Sequence, residues 1–100
     1  MNYLSIINSF WNSVMYSPLS TGEVAMYMAL VHLCSRNNWA EWFMVPTKVL
    51  SLMTGLSAEG MVKARESLEW RGLIKFRYQQ NSSGLYGIII AGVSAGYLDS

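Results

Sequence analysis

The feature that most constrains this chain is a change of period at Gly72. Before it, apolar residues recur every three to four positions. At about 100° per residue Met61, Ala64 and Leu68 fall on one side of a helix, and Glu59, Gly60, Lys63, Ser67 and Trp70 on the other. After it the period is two: Ile74, Phe76 and Tyr78 alternate with Lys75, Arg77 and Gln79. Asn81-Ser82-Ser83-Gly84 reads as a turn, and Tyr86, Ile88 and Ile90 alternate on the return. A helix from Ala58 to about Arg71, closed by Gly72, thus runs directly into a β-hairpin. A chain that packs a helix on a hairpin belongs to neither the all-α nor the all-β class.

The segments upstream complete the pattern. Ser57 caps the long helix, and Gly55 closes a shorter one, Lys48 to Thr54, for which Thr47 is the expected N-cap. Two helices joined by so short a glycine-bearing turn form a helix-turn-helix. Trp42 to Val45 is aromatic and β-prone and is bounded by Pro46, which suggests a short strand. Ser20-Thr21-Gly22-Glu23 has the spacing of a capping box, and Val24 to Leu33 is apolar on nearly every side, as expected of a central helix or one shared with a partner. Ser35-Arg36-Asn37-Asn38 ends it. The first helix, Tyr3 to Met15, has a polar face without charge, and Ser17-Pro18 stops it. From Ala91 the alternation dissolves, so residues 1–91 read as one domain and residues 92–100 as a flexible tail or the start of a linker. Helix, helix, short strand, helix-turn-helix, hairpin is the order of a winged helix, an α+β fold, here with an extra N-terminal helix.

Composition narrows the function. Of the 100 residues 52% are apolar and 13% charged, against averages of roughly 45–50% and 25%. Disorder is excluded, since it requires low hydrophobicity and high net charge. A formal charge of +1 excludes a strongly basic nucleic-acid binder. One cysteine, Cys34, excludes an intrachain disulfide and a thiolate zinc site, and one histidine, His32, excludes a His-pair metal site. A lone thiol fits a cytoplasmic setting. The apolar run Val24 to Cys34 is far shorter than the ~20 residues of a spanning helix, and no Lys or Arg precedes an apolar run at the N-terminus as in a secretory signal. Four Trp, six Tyr and seven Met in so small a chain suggest a surface that another subunit covers.

A more specific pattern emerges from short motifs taken together. These are Ile7-Asn8-Ser9-Phe10-Trp11, Pro18 to Glu23, Trp39 to Phe43, Met53-Thr54-Gly55-Leu56-Ser57, and Lys63-Ala64-Arg65 ahead of Gly72-Leu73-Ile74. As a set, over Ile7 to about Ile90, they resemble the N-terminal winged-helix domain of phage and prophage replication proteins of the DnaD-like, replisome-organiser type. The resemblance implies self-assembly and DNA engagement in replication initiation (primosome) work. It also implies a linker and a second domain that works with helicase-loading proteins. In the pattern this resembles, the place of Lys63 is commonly a phosphate-contacting cation. Arg65 stands where an apolar residue is more usual, so that either it is half-buried beside a carboxylate or the helix is rotated.

The residues themselves temper this. Ser57 to Gln80 holds Lys63, Arg65, Arg71, Lys75 and Arg77 against Glu59, Glu66 and Glu69, a surplus of two positive charges. Non-specific affinity rests on phosphate neutralisation, so such a set binds DNA weakly and through phosphates. The expected contacts are Lys63, Ser67, Arg71, Lys75 and Arg77. The expected oligomer interface is Leu4, Ile7, Phe10 and Trp11 of the first helix with Trp39 and Trp42. Trp39 and Trp42 would serve better as core or interface than as stacking platforms. His32 reads as a packed core residue and Cys34 as an inert buried thiol. No nucleophile–base set, no acid/base pair in a cleft and no glycine-rich phosphate loop is legible, so no enzymatic role and no cofactor is expected. The alternatives are an oligomerising winged helix that binds no DNA, and a winged-helix transcription regulator.

Overall fold

The computed structural model describes residues 3–78, 83–90 and 93–94. In chain order these form α1 (Tyr3–Tyr16), α2 (Thr21–Arg36), β1 (Phe43–Pro46), α3 (Thr47–Thr54), α4 (Ala58–Trp70), β2 (Ile74–Tyr78), β3 (Ser83–Ile90) and the two-residue β4 (Val93–Ser94). The fold is α+β, a winged-helix-like arrangement carrying an additional N-terminal helix. Its sheet is antiparallel in the order β1-β3-β2, and β4 pairs with the far end of β3. Among the described residues no helix is long and apolar enough to cross a membrane.

α2 is the axis of the core. Its capping box closes as the sequence requires: Glu23 N–H donates to Ser20 Oγ at 3.2 Å, and Ser20 N–H donates to Glu23 Oε1 at 3.2 Å. Met26, Tyr27, Ala29, Leu30, Val31 and Cys34 are buried along it, and it packs on α3, α4, β1 and β3. The sheet closes the other side of this core. Tyr86 lies between Phe43 and Phe76 in register, so three aromatic residues cross the sheet in one row. α3 ends at Gly55 (φ 72°) and α4 is followed by Gly72 (φ 75°), the left-handed geometry that glycine adopts without a Cβ penalty.

Several boundaries differ from expectation. β1 is Phe43–Pro46, one residue later than Trp42–Val45, and Pro46 caps α3 in place of Thr47, without a side-chain hydrogen bond. Its ring already fixes φ at −62°, and its extended ψ of 134° makes the break between strand and helix. Thr47 is therefore the first helical residue. Ser83 and Gly84 belong to β3, not to the turn, whose other residues lie outside the described ones. Val93–Ser94 pair back on Ile89–Ile90, while the remainder of 91–100 lies outside the described residues.

One carboxylate ties the helical layer together. Glu23 has a side chain only 14% exposed; its Oε2 accepts from Ser67 Oγ at 2.7 Å and faces Arg71 Nε at 3.6 Å. Desolvation pushes its pKa up, but the hydrogen bonds from Ser67, the Ser20 side chain and the Ser20 backbone, with the Arg71 charge, outweigh it and hold the carboxyl below the usual value. A depressed carboxyl stabilises the fold above its unfolded pKa, and that contribution is lost as pH falls through the folded one. Urea midpoints measured from about pH 6 to about pH 3 are therefore expected to fall more for the native chain than for Glu23→Gln. Parallel acid limbs would contradict this role.

Candidate functional site

The expected DNA contacts fall into two different environments. Lys63 stands on the exposed side of α4 and has no ionic partner among the described residues. Arg77, at the exposed end of β2, holds its guanidinium 4.6 Å from the Trp42 ring centroid. These two charges face solvent.

The other three are engaged within the chain. Ser67 is half-buried and donates to Glu23, so it faces α2, not outward. Arg71 donates to Ser17 O at 3.2 Å, Ser17 Oγ at 2.6 Å and Pro18 O at 3.2 Å, besides facing Glu23. It fastens the end of α4 to the α1–α2 connection. Lys75 pairs with Glu41 Oε1 at 3.0 Å and lies 4.3 Å from the centroid of Trp42. The docking of α4 on α2 and of the β1 approach on the sheet therefore uses cations that solvent exposure would have left for phosphates.

The expected oligomer residues also divide. Leu4 (64% exposed) and Trp11 (44%) lie on the outer face of α1. Phe10 is buried and stacks on Tyr27 with centroids 4.2 Å apart and planes at 10°, so it belongs to the chain's own core. Ile7 and Trp39 pack partly buried against that core. Trp39 sits in left-handed backbone at φ 58°, next to Asn38 at φ 57°. Trp42 is half-buried beneath the two wing cations. This side continues through Met15 (81%), Tyr16 (92%) is exposed on the next side at the end of the helix, and Trp70 of α4 is 89% exposed. A cleft of about 360 Å³ between the end of α1 and the end of α4 is lined by Ser13, Ser17, Leu19, Trp70, Arg71 and Leu73.

The remaining titratable residues are placed differently from expectation in one case. His32 is exposed on α2, not packed in the core, because the buried side of this helix passes through Leu30, Val31 and Cys34. Cys34 is buried as expected; burial pushes its thiol up to about 11, and its Sγ lies 3.8 Å from Ala40 O.

Among the described residues Arg65 has no carboxylate partner. It is half-buried, with its guanidinium 4.0 Å from the centroid of Phe76, and Glu69 one turn on makes no ion pair with it. Beside this pair a cleft of about 160 Å³ is lined by Thr47, Arg65, Phe76, Tyr78, Ser83, Gly84 and Tyr86. The sequence signal for it was a cation at a position where an apolar residue is more usual. Comparison of the chain with protein-family models, with curated proteins and with solved structures finds no match.

Proposed function

We propose that this chain is the self-assembly and DNA-engaging domain of a phage-type replication-initiation protein, with association between copies as its leading role. The observation that carries the proposal is the outer face of α1. Trp11, Met15 and Tyr16 are exposed on a helix that contains no charged residue from Tyr3 to Tyr16. The apolar side chains exposed there are poorly matched to water, the exposed Ser and Asn residues beside them carry no charge, and antiparallel pairing of two copies across a two-fold axis brings no like charges together. DNA contact is the second component, supported by the exposed charges of Lys63 and Arg77, which form no ion pair among the described residues. With so few free cations it is weak, phosphate-directed and steeply reduced by salt.

The assembly component is tested by placing charge on this face. Met15→Glu with Tyr16→Glu alters two highly exposed positions and leaves the core residues Ile6 and Phe10 in place. The double variant is expected to have the 11.3 kDa mass of one chain by light scattering, with its far-UV spectrum unchanged. A variant that keeps the mass of the native assembly would overturn the proposed interface. Deleting residues 1–16 is a poorer test, because it strips Ile6 and Phe10 from the core.

A further inference from the structure

We propose that the cleft between α4 and the wing is a seat for a phosphate group, with Arg65 as its anion-binding residue. The inference rests on the DNA-engaging component above and assigns it a site that neither Lys63 nor Arg77 supplies. Four observations converge on it.

The first is the state of Arg65. A guanidinium offers five donors in a planar fork, and partly buried ones are ordinarily matched by carboxylates or carbonyls. Arg71 shows the ordinary case in this same fold, with Ser17, Pro18 and Glu23 around it. Among the described residues Arg65 has one ring and no acceptor: its guanidinium carbon lies 4.0 Å from the centroid of Phe76, and no hydrogen bond engages its N–H donors. The second is the wall chemistry. Thr47, Tyr78, Ser83 and Tyr86 bring four hydroxyl-bearing side chains to the same cleft, and among the described residues no carboxylate lines it. Hydroxyls beside a fork of N–H donors suit the oxygens of a phosphate, and the absence of a carboxylate removes the competing anion.

The third is size. The cleft is about 160 Å³, several times a water's ~30 Å³ share of the liquid, which admits a tetrahedral phosphate with water around it. The fourth is Gly84. A Cβ built there would stand 2.7 Å from Phe76 Cε1 and 2.9 Å from Tyr86 Cε2, so a bare backbone lets these rings close on the strand and form the cleft's floor. The seat thus draws on α3, α4 and both wing strands, and a phosphate bound in it would bridge helix and wing.

A phosphate of this kind can come from a polynucleotide backbone or from a free or mononucleotide anion, and the experiment separates them. Fluorescence anisotropy of a labelled duplex is measured at two salt concentrations for the native chain, Arg65→Gln, Arg65→Lys and Lys63→Gln. Inorganic phosphate is titrated separately against the Arg65 Nε–H and Ser83 amide signals by NMR. Arg65→Gln is expected to weaken duplex binding about tenfold and to flatten the salt slope by about 0.9. Arg65→Lys keeps the charge and loses the fork, and is expected to recover the slope but only part of the affinity. Near-UV spectra check that Phe76 and Tyr86 remain packed in each variant. If the native chain binds duplex and Arg65→Gln matches it in affinity and slope, the seat is overturned while the DNA-engaging reading stands. If phosphate shifts the Arg65 and Ser83 signals but no duplex binds at low salt, the seat is upheld for small anions and the DNA-engaging reading falls. If neither ligand binds, both fall.

Discussion

Replacing Leu30 with alanine is expected to destabilise the chain by about 3–5 kcal/mol, the range for a fully buried leucine whose cavity cannot collapse. Leu30 is wholly buried at the middle of α2, the helix that meets α3, α4, β1 and β3. A void there is bordered by elements that are fixed by one another, so little relaxation is available. Domains of this size have about 5–15 kcal/mol in total, so the loss is a large fraction of the whole. The melting temperature should fall by roughly 15–30 °C. Leu52→Ala, at a position 77% exposed on α3, is the control and should stay within about 0.5 kcal/mol. Thermal melts at one fixed protein concentration check this, since association itself adds stability by mass action. A Leu30→Ala cost below about 1 kcal/mol would mean that α2 is not the packing axis.

The second large effect is expected at Gly87. This residue pairs with Lys75 across β2 and β3, and the chain just before β1 lies over it. An added Cβ would meet Glu41 O at 2.5 Å and Lys75 Cε at 2.5 Å. The lysine stem can move, but the carbonyl is backbone and can yield only by lifting the approach to β1. Gly87→Ala is therefore expected to cost about 2–3 kcal/mol in urea unfolding. Little of this comes from the Lys75–Glu41 pair, because Glu41 is 57% exposed and pairs open to solvent contribute little. Gly55→Ala serves as comparison: nothing lies within 4 Å of its added Cβ, and only its φ of 72° resists the change, at about 1 kcal/mol. Equal losses at the two positions would contradict the close approach of the Glu41 segment.

The elements were legible where a local rule decides them. The period change at Gly72, the Ser20–Glu23 box and the Ser57 cap are interactions within a few residues, and all appear in the fold. What the sequence did not show depends on partners far along the chain. Ser67 and Glu23 are 44 residues apart, and Arg71 and Ser17 are 54 apart. Only the docking of α4 on α2 brings them together, and no periodicity encodes that. Phe10 was misplaced because α1 is apolar over more than one face. Ile6 and Phe10 take the inner side, and Leu4, Trp11 and Met15 are left outside. His32 was misplaced for the converse reason: an apolar run gave it no marked outer side, although Arg36 one turn on is exposed with it. Arg65 was legible as an anomaly but not as a seat, since Phe76, Ser83 and Tyr86 reach it only through the sheet register.

Self-assembly through the outer face of α1 is the central claim, and the mass of the native chain in solution tests it most directly. Sedimentation equilibrium from dilute to concentrated protein should give a mass that rises to twice the 11.3 kDa of one chain, or to a higher whole multiple. A mass that stays at 11.3 kDa up to the highest concentration reached would contradict the account.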